Sequence, residues 1–205
     1  MFEVLTGTGL AASAGLNAYI PLLTMGLLAR YTDVIDLPSG WQWLGNGWVI
    51  GILAVLLAIE VVADKVPVVD HVNDVVQTVV RPTAGGLAFG AGSSSETVTV
   101  SDPGSFFSSH QWVPVVTGVL IAFGVHLLKS AARPVINATT AGVGAPVAST
   151  AEDATSVVVS VVAILLPVLV LVFLVGLAFF VYWFLRRRSE RRRQRDAARA
   201  AGFQV

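Results

Sequence analysis

Glu60 and Asp64 stand four residues apart in "AIEVVADKVP", and His126, Lys129 and Arg133 step by three and four in "HLLKSAARP". On a helix each set shares one face, so the chain offers one acidic face and one basic face. Each lies at the end of an apolar run long enough to enter a bilayer. A charge at mid-membrane costs roughly 2.5–3.5 kcal/mol on insertion scales, so such groups turn inward, pair, or mark a path for an ion or substrate. Glu60 lies three turns into its run, where snorkelling is least available. Further polar groups surround this core: Asn17, Lys65, Asp70 and Asp74 with His71 and Asn73, Arg81, and the pair Glu152 and Asp153. Two roles compete for them. One is a structural network, Glu60 and Asp64 against Lys129 and Arg133. The other is a polar site, with Glu60 and Asp64 binding a cation or shuttling a proton, and Lys129, Arg133 and Arg81 holding an anionic group.

Other chemistries find less support. Asp70, His71 and Asp74, or Glu60 with Asp64, offer oxygen and imidazole ligands for a metal, yet their spacing is diagnostic of none. The chain has no cysteine, which removes thiolate metal sites and disulfides. Ser93 to Ser95, Asp102 and His110 share one polar loop without the strand–turn–helix setting of a nucleophile elbow. No phosphate-binding glycine motif is present. An enzyme is therefore not expected, nor a cofactor.

The elements that carry these groups belong to a membrane protein. The 205 residues are 55% hydrophobic and 13% charged, about half the charge of a soluble domain, and the mean hydropathy is +0.75. A strong span is expected over Val4–Ala29, interrupted by Pro21, which leaves the Asn17 carbonyl without its helical donor. Ser13, Asn17 and Thr24 would form a polar stripe on it, for interhelical hydrogen bonds or to line a cavity. After a loop whose Trp41, Trp43 and Trp48 suit the interface, a second span runs over Trp48–Ala63. Pro67 precedes a weaker segment, Val75–Gly92. The third strong span is Trp112–Ala132, followed by a weak segment, "PVINATTAGVGAPVAST". The last is Ala154–Leu185, opened by a capping box of Ser149 and Glu152 and kinked near Pro167.

The fold class is thus all-α: a compact membrane bundle of four strong helices plus two weaker small-residue segments, spanning or half helices, over residues 1–185. "VVRPTAGG" and "AARPVINA" occupy matching places in 48–92 and 112–150, and an internal duplication would account for them. Eight of thirteen Lys and Arg lie at or beyond Arg186. The tail 186–205 should therefore be cytoplasmic and meet anionic lipid. Charge bias favours six crossings with both termini inside; Arg30 alone dissents. Besides the lipid bilayer, a second copy or another membrane protein is the expected partner, and nucleic acid is not.

"GLNAYIPLLTMGLLAR", "EVVADKVPVVDHVNDVVQTVVRPTAGGL", "HLLKSAARPVINATTAGVGAPVAS" and "EDATS" resemble a family of small polytopic bacterial membrane proteins, frequent in actinobacteria and known only as a domain of unknown function. The resemblance covers the chain to about Leu185 and implies an inner-membrane helical protein without an assigned activity. The function expected is a small permease or transporter-like protein with a buried site for a cation, proton or anionic group. The alternative is a non-transporting accessory or lipid-binding subunit whose buried charges are structural.

Overall fold

The computed structural model describes residues 2–65, 67–93, 112–140, 144–172, 175–180, 182–183 and 186–187. Residues 94–111 of the polar loop and most of the basic tail, both singled out in the sequence, lie outside them. The described residues form helices without a strand: α1 (Phe2–Leu16), α2 (Tyr19–Tyr31), a short 3-10 helix (Ser39–Gly45), α3 (Gly47–Ala63), α4 (Pro67–Gly92), α5 (Trp112–Thr140) and α6 (Gly144–Leu165).

At the middle is α1, packed against α4, α5 and α6 and buried continuously from Gly9 to Gly15. Its small residues permit this. A Cβ on Gly15 would lie 2.6 Å from the Ala122 carbonyl oxygen and from Val125 Cβ, and one on Gly9 would lie 2.6 Å from Ala163 Cβ. Ser13 supplies the hydrogen bonds of the contact: its hydroxyl is 2.7 Å from those of both Ser156 and Ser160, and it lies 2.9 Å from the Ser156 carbonyl. Such small-residue interfaces with shared hydroxyls are how helices associate where the hydrophobic effect gives no drive.

The first expected span is instead a hairpin. α1 makes its last helical bond from Asn17 N–H to the Ser13 carbonyl, at 3.0 Å. Pro21 cannot donate to Asn17, and the chain turns there. Leu10 and Met25 then line one cavity of about 250 Å³ together with Phe2 and Leu37, so α2 returns alongside α1 towards the end from which the chain entered. At 1.5 Å per residue the 15 residues of α1 carry the turn about 22 Å inward. Ser13 and Thr24 therefore sit on different helices, and Thr24 donates to the Ile20 carbonyl of its own turn.

Other expectations change as well. The weak segment Val75–Gly92 is the second part of one helix begun at Pro67, a first-turn position where a missing N–H costs nothing. "PVINATTAGVGAPVAST" is no separate element: it divides between the end of α5 and the start of α6. Ser149 and Glu152 lie inside α6, so they form no capping box; the helix begins at Gly144. The break near Pro167 is present, between Leu165 and Val168.

Polarity is inverted relative to a soluble protein. Trp48, Ile52, Val55, Ile59 and Val62 form an exposed stripe along α3, and Val113, Val116, Leu120, Phe123 and Leu127 form another along α5. The buried residues include many alanines, several serines and a set of charged groups, beside apolar side chains such as Leu10, Met25, Leu44 and Phe89. Lipid suits the exposed apolar stripes, and charges inside a membrane bundle are tolerated when they face its interior and pair. Among the described residues, α5 and α6 are long and apolar enough to cross a membrane, and the 3-10 helix with α3, bent by 62°, would make a third span. Leu171–Val205 is a separate unit; within it Arg187 stacks 4.1 Å from the Trp183 ring centroid.

Candidate functional site

The hairpin tip meets the charges. Asn17 is fully buried and serves both half helices. Its Oδ1 accepts from the backbone N–H groups of Tyr19 and Ile20, at 3.1 and 3.3 Å, capping the start of α2. Its Nδ2 donates to Asp153 Oδ1 at 2.9 Å. On the other side, Lys129 Nζ donates to the Leu16 carbonyl at 3.2 Å, placing a cation on the negative end of the α1 dipole. Replacing Asn17 by Ala is expected to cost about 1–2 kcal/mol through the lost cap alone, read as a lower thermal midpoint in detergent. A midpoint equal to wild type would show that the tip is held by its neighbours instead.

Asp64 is the hub. It follows the last turn of α3, its N–H bonded to the Glu60 carbonyl at 2.9 Å, where Lys65 and then Pro67 end the helix. Its Oδ2 lies 3.2 Å from Lys129 Nζ, 3.3 Å from Arg133 Nη2 and 3.8 Å from Arg81 Nη2. Its Oδ1 accepts from Asn73 Nδ2 at 2.7 Å. Glu152 closes the far side, 2.9 Å from Lys129 and 3.0 Å from Arg133. Glu60, one turn before Asp64, binds Arg81 Nη2 through Oε1 at 2.8 Å. Its partner is therefore Arg81, not the Lys129 and Arg133 expected from the two charged faces. The reason is direction: α4 presents Arg81 to the end of α3, while Lys129 and Arg133 on α5 reach only as far as Asp64.

His126 is held by Arg81 as well. Arg81 Nη1 can only donate, so His126 Nδ1, 3.3 Å away, accepts. The ring is then neutral with its proton on Nε2, which faces Thr78 Oγ1 at 3.1 Å. Thr78 in turn donates to the Asp74 carbonyl at 2.8 Å.

Of the twelve residues singled out in the sequence, Asn17, Glu60, Asp64, Arg81, His126, Lys129, Arg133, Glu152 and Asp153 meet here. Lys65 does not. It is exposed and donates to the Val61 carbonyl at 3.0 Å, closing the end of α3. Asp74 is half-buried at the margin, with an Oδ1 that has no protein partner. The side chains of Asp70 and His71 lie outside the described residues. Among the described residues, no three His, Asp or Glu side chains converge as a metal site would require. The sequence reading passed over Gln77, Tyr19 and Thr78. Asn73, Gln77 and Arg81 recur at intervals of four, a polar stripe on α4 that the periodicity already carried.

Three prolines mark this same layer. Pro21, Pro82 and Pro134 each lack an N–H, so the carbonyls of Asn17, Thr78 and Ser130 lose their helical donor. A layer that joins a helix break, loosened carbonyls and paired charges is suited to bind or pass a small ion, or to lock helices together. No curated protein and no solved structure matches the chain. The family described as a domain of unknown function, DUF4126, matches residues 4–187, from the entering turn of α1 to beyond α6 and across every residue of the charged layer, and the chain belongs to that family.

Proposed function

We propose that this is a small transporter-like protein of a multi-pass bundle, handling a cation or proton at the tip of the α1–α2 hairpin. The observation that carries this reading is the tip itself: a helix break buried about 22 Å along α1, its two ends held by Lys129 and Asp153. Discontinuous helices whose ends meet charged groups inside the bilayer are the usual architecture of ion sites in secondary transporters. Arg81, Lys129 and Arg133 would hold the carboxylates in place, or an anionic group that displaces one of them. The arginine-rich run after Leu185 would lie against the anionic cytoplasmic leaflet, where each basic residue contributes about 1 kcal/mol.

The test is flux into liposomes carrying the purified full chain, under imposed gradients of protons, sodium and potassium. Wild type should exceed empty liposomes for one of them. Asp153→Asn, which keeps a hydrogen-bond partner for Asn17 but removes the charge, should reduce that rate at least about tenfold, roughly 1.4 kcal/mol on a barrier. No flux from the wild type under any of these gradients rejects the proposal. One observation favours the second reading, a non-transporting accessory subunit: each base of the network lies within 3.3 Å of a carboxylate, as internal staples would. That reading expects no flux, and co-purification with another membrane protein.

A further inference from the structure

Two buried acceptors in the charged layer have no partner. Glu60 and Gln77 are each 2% exposed, and neither Glu60 Oε2 nor Gln77 Oε1 receives a hydrogen bond. They belong to one spot. Gln77 precedes Arg81 by one turn on α4, and Arg81 binds the other oxygen of Glu60. Tyr19, at the head of α2, lies near Gln77, Glu60 and Arg81. A buried acceptor left unmatched costs about 1–3 kcal/mol, more when charged. Arg81 is one turn from Gln77 on α4 and holds the other oxygen of Glu60, so one added donor beside it would match both acceptors.

The charges point the same way. Glu60, Asp64, Glu152 and Asp153 face Arg81, Lys129 and Arg133, while His126 is held neutral by its contact with Arg81. Among these groups the carboxylates outnumber the bases by one, with Lys65 and Asp74 at the margin. Asp64 and Glu152 each touch two or more bases. Asp153 is only half-buried and accepts from Asn17 Nδ2. Glu60 has a single base on one oxygen and no water-exposed surface to spread its charge.

We infer that Glu60 carries an exchangeable proton, taken up from water by Oε2 and donated to Gln77 Oε1. A single proton then satisfies both acceptors and leaves three carboxylates against three bases. Arg81 Nη2 continues to donate to Oε1. On release the proton returns to water, and the site is left with an unmatched carboxylate that the helices must open to hydrate. The ionisable groups around Glu60 are Asp64 on its own helix, Tyr19 on α2, Arg81 on α4 and Lys129 on α5, while the neutral His126 contacts Arg81. The proton site stands on this geometry; its use as the ion moved by the protein rests on the transporter reading.

The measurement is infrared difference spectroscopy of the full chain in detergent at neutral pH, in H2O and D2O. The expected result is a carbonyl band of a buried protonated carboxyl that shifts in D2O, is lost in Glu60→Gln, moves in Gln77→Leu and persists in Asp153→Asn. A wild type without the band overturns the inference, whether or not a variant folds, and leaves Gln77 to close the gap by turning its amide. A band that survives Glu60→Gln, or is lost in Asp153→Asn, also overturns it. Should Glu60→Gln not fold, the movement in Gln77→Leu decides. A band in a protein without flux would retain the proton site and reject transport, and flux without a band would do the reverse.

Discussion

Asp64→Ala should abolish recovery of folded, monodisperse protein in detergent. The substitution strips Arg81, Lys129 and Arg133 of the oxygen they converge on, and these side chains are at most 5% exposed. Breaking a buried ion pair by removing one partner costs about 3–5 kcal/mol, because the surviving charge is neither hydrated nor matched. Here Glu152 keeps part of the charge on Lys129 and Arg133, which holds the loss within that range. Asp64→Asn keeps the side-chain volume but not the charge, and should fall in the same direction. Adding Lys129→Met to Asp64→Asn removes one base along with the acid. The pair should recover most of the lost thermal midpoint, although each single change is severe. If the double variant is as poor as the sum of the singles, the network is not held by charge balance. A coupling near zero in that cycle would show the same.

Gly118→Val is expected to be the most damaging change outside the charged layer. α4 and α5 approach until backbone touches backbone: a Cβ on Gly118 would overlap the Gly85 carbonyl oxygen and lie 2.5 Å from Phe89 Cβ. A carbonyl in a helix cannot rotate aside as a flexible side chain does, so the helices must separate. Overpacking costs typically 1–3 kcal/mol, and the upper part of that range applies to a branched side chain against main chain. The control is Gly124→Ala, six residues on, where nothing lies within 4 Å. There the change should be neutral or raise stability by up to about 1 kcal/mol, since Gly is the poorer helix former. Thermal unfolding in one detergent compares the two. Equal midpoints for the two variants would refute the close approach of α4 and α5.

How much of this could be read from the residues differs from one feature to the next. Glu60 and Asp64 on one face, and His126, Lys129 and Arg133 on another, follow from spacing alone, because an α-helix returns to the same side every three or four residues. The break at Asn17 follows from Pro21. Which helix reaches which does not follow. Glu60 meets Arg81, 21 residues along the chain, because α4 doubles back against α3, and no local rule states the register at which two helices cross. The hairpin was hidden for a related reason. Val4–Ala29 is apolar throughout, and proline announces a loss of one hydrogen bond without stating the direction of the chain beyond it. Gln77 was overlooked because a neutral amide in an apolar run draws no notice until its oxygen is found without a donor.

By itself, then, the order of residues determined that this chain is helical and apolar, that its ionisable groups fall on shared helical faces, and where prolines interrupt it. These are consequences of composition and of periods within one helix. Only the tertiary structure decided that the first apolar stretch folds back on itself, that Asp64 gathers three bases while Glu60 keeps one, and that the buried Glu60 Oε2 and Gln77 Oε1 are left without a donor. Those outcomes depend on contacts between helices far apart in the chain, set by how closely small residues let main chains approach.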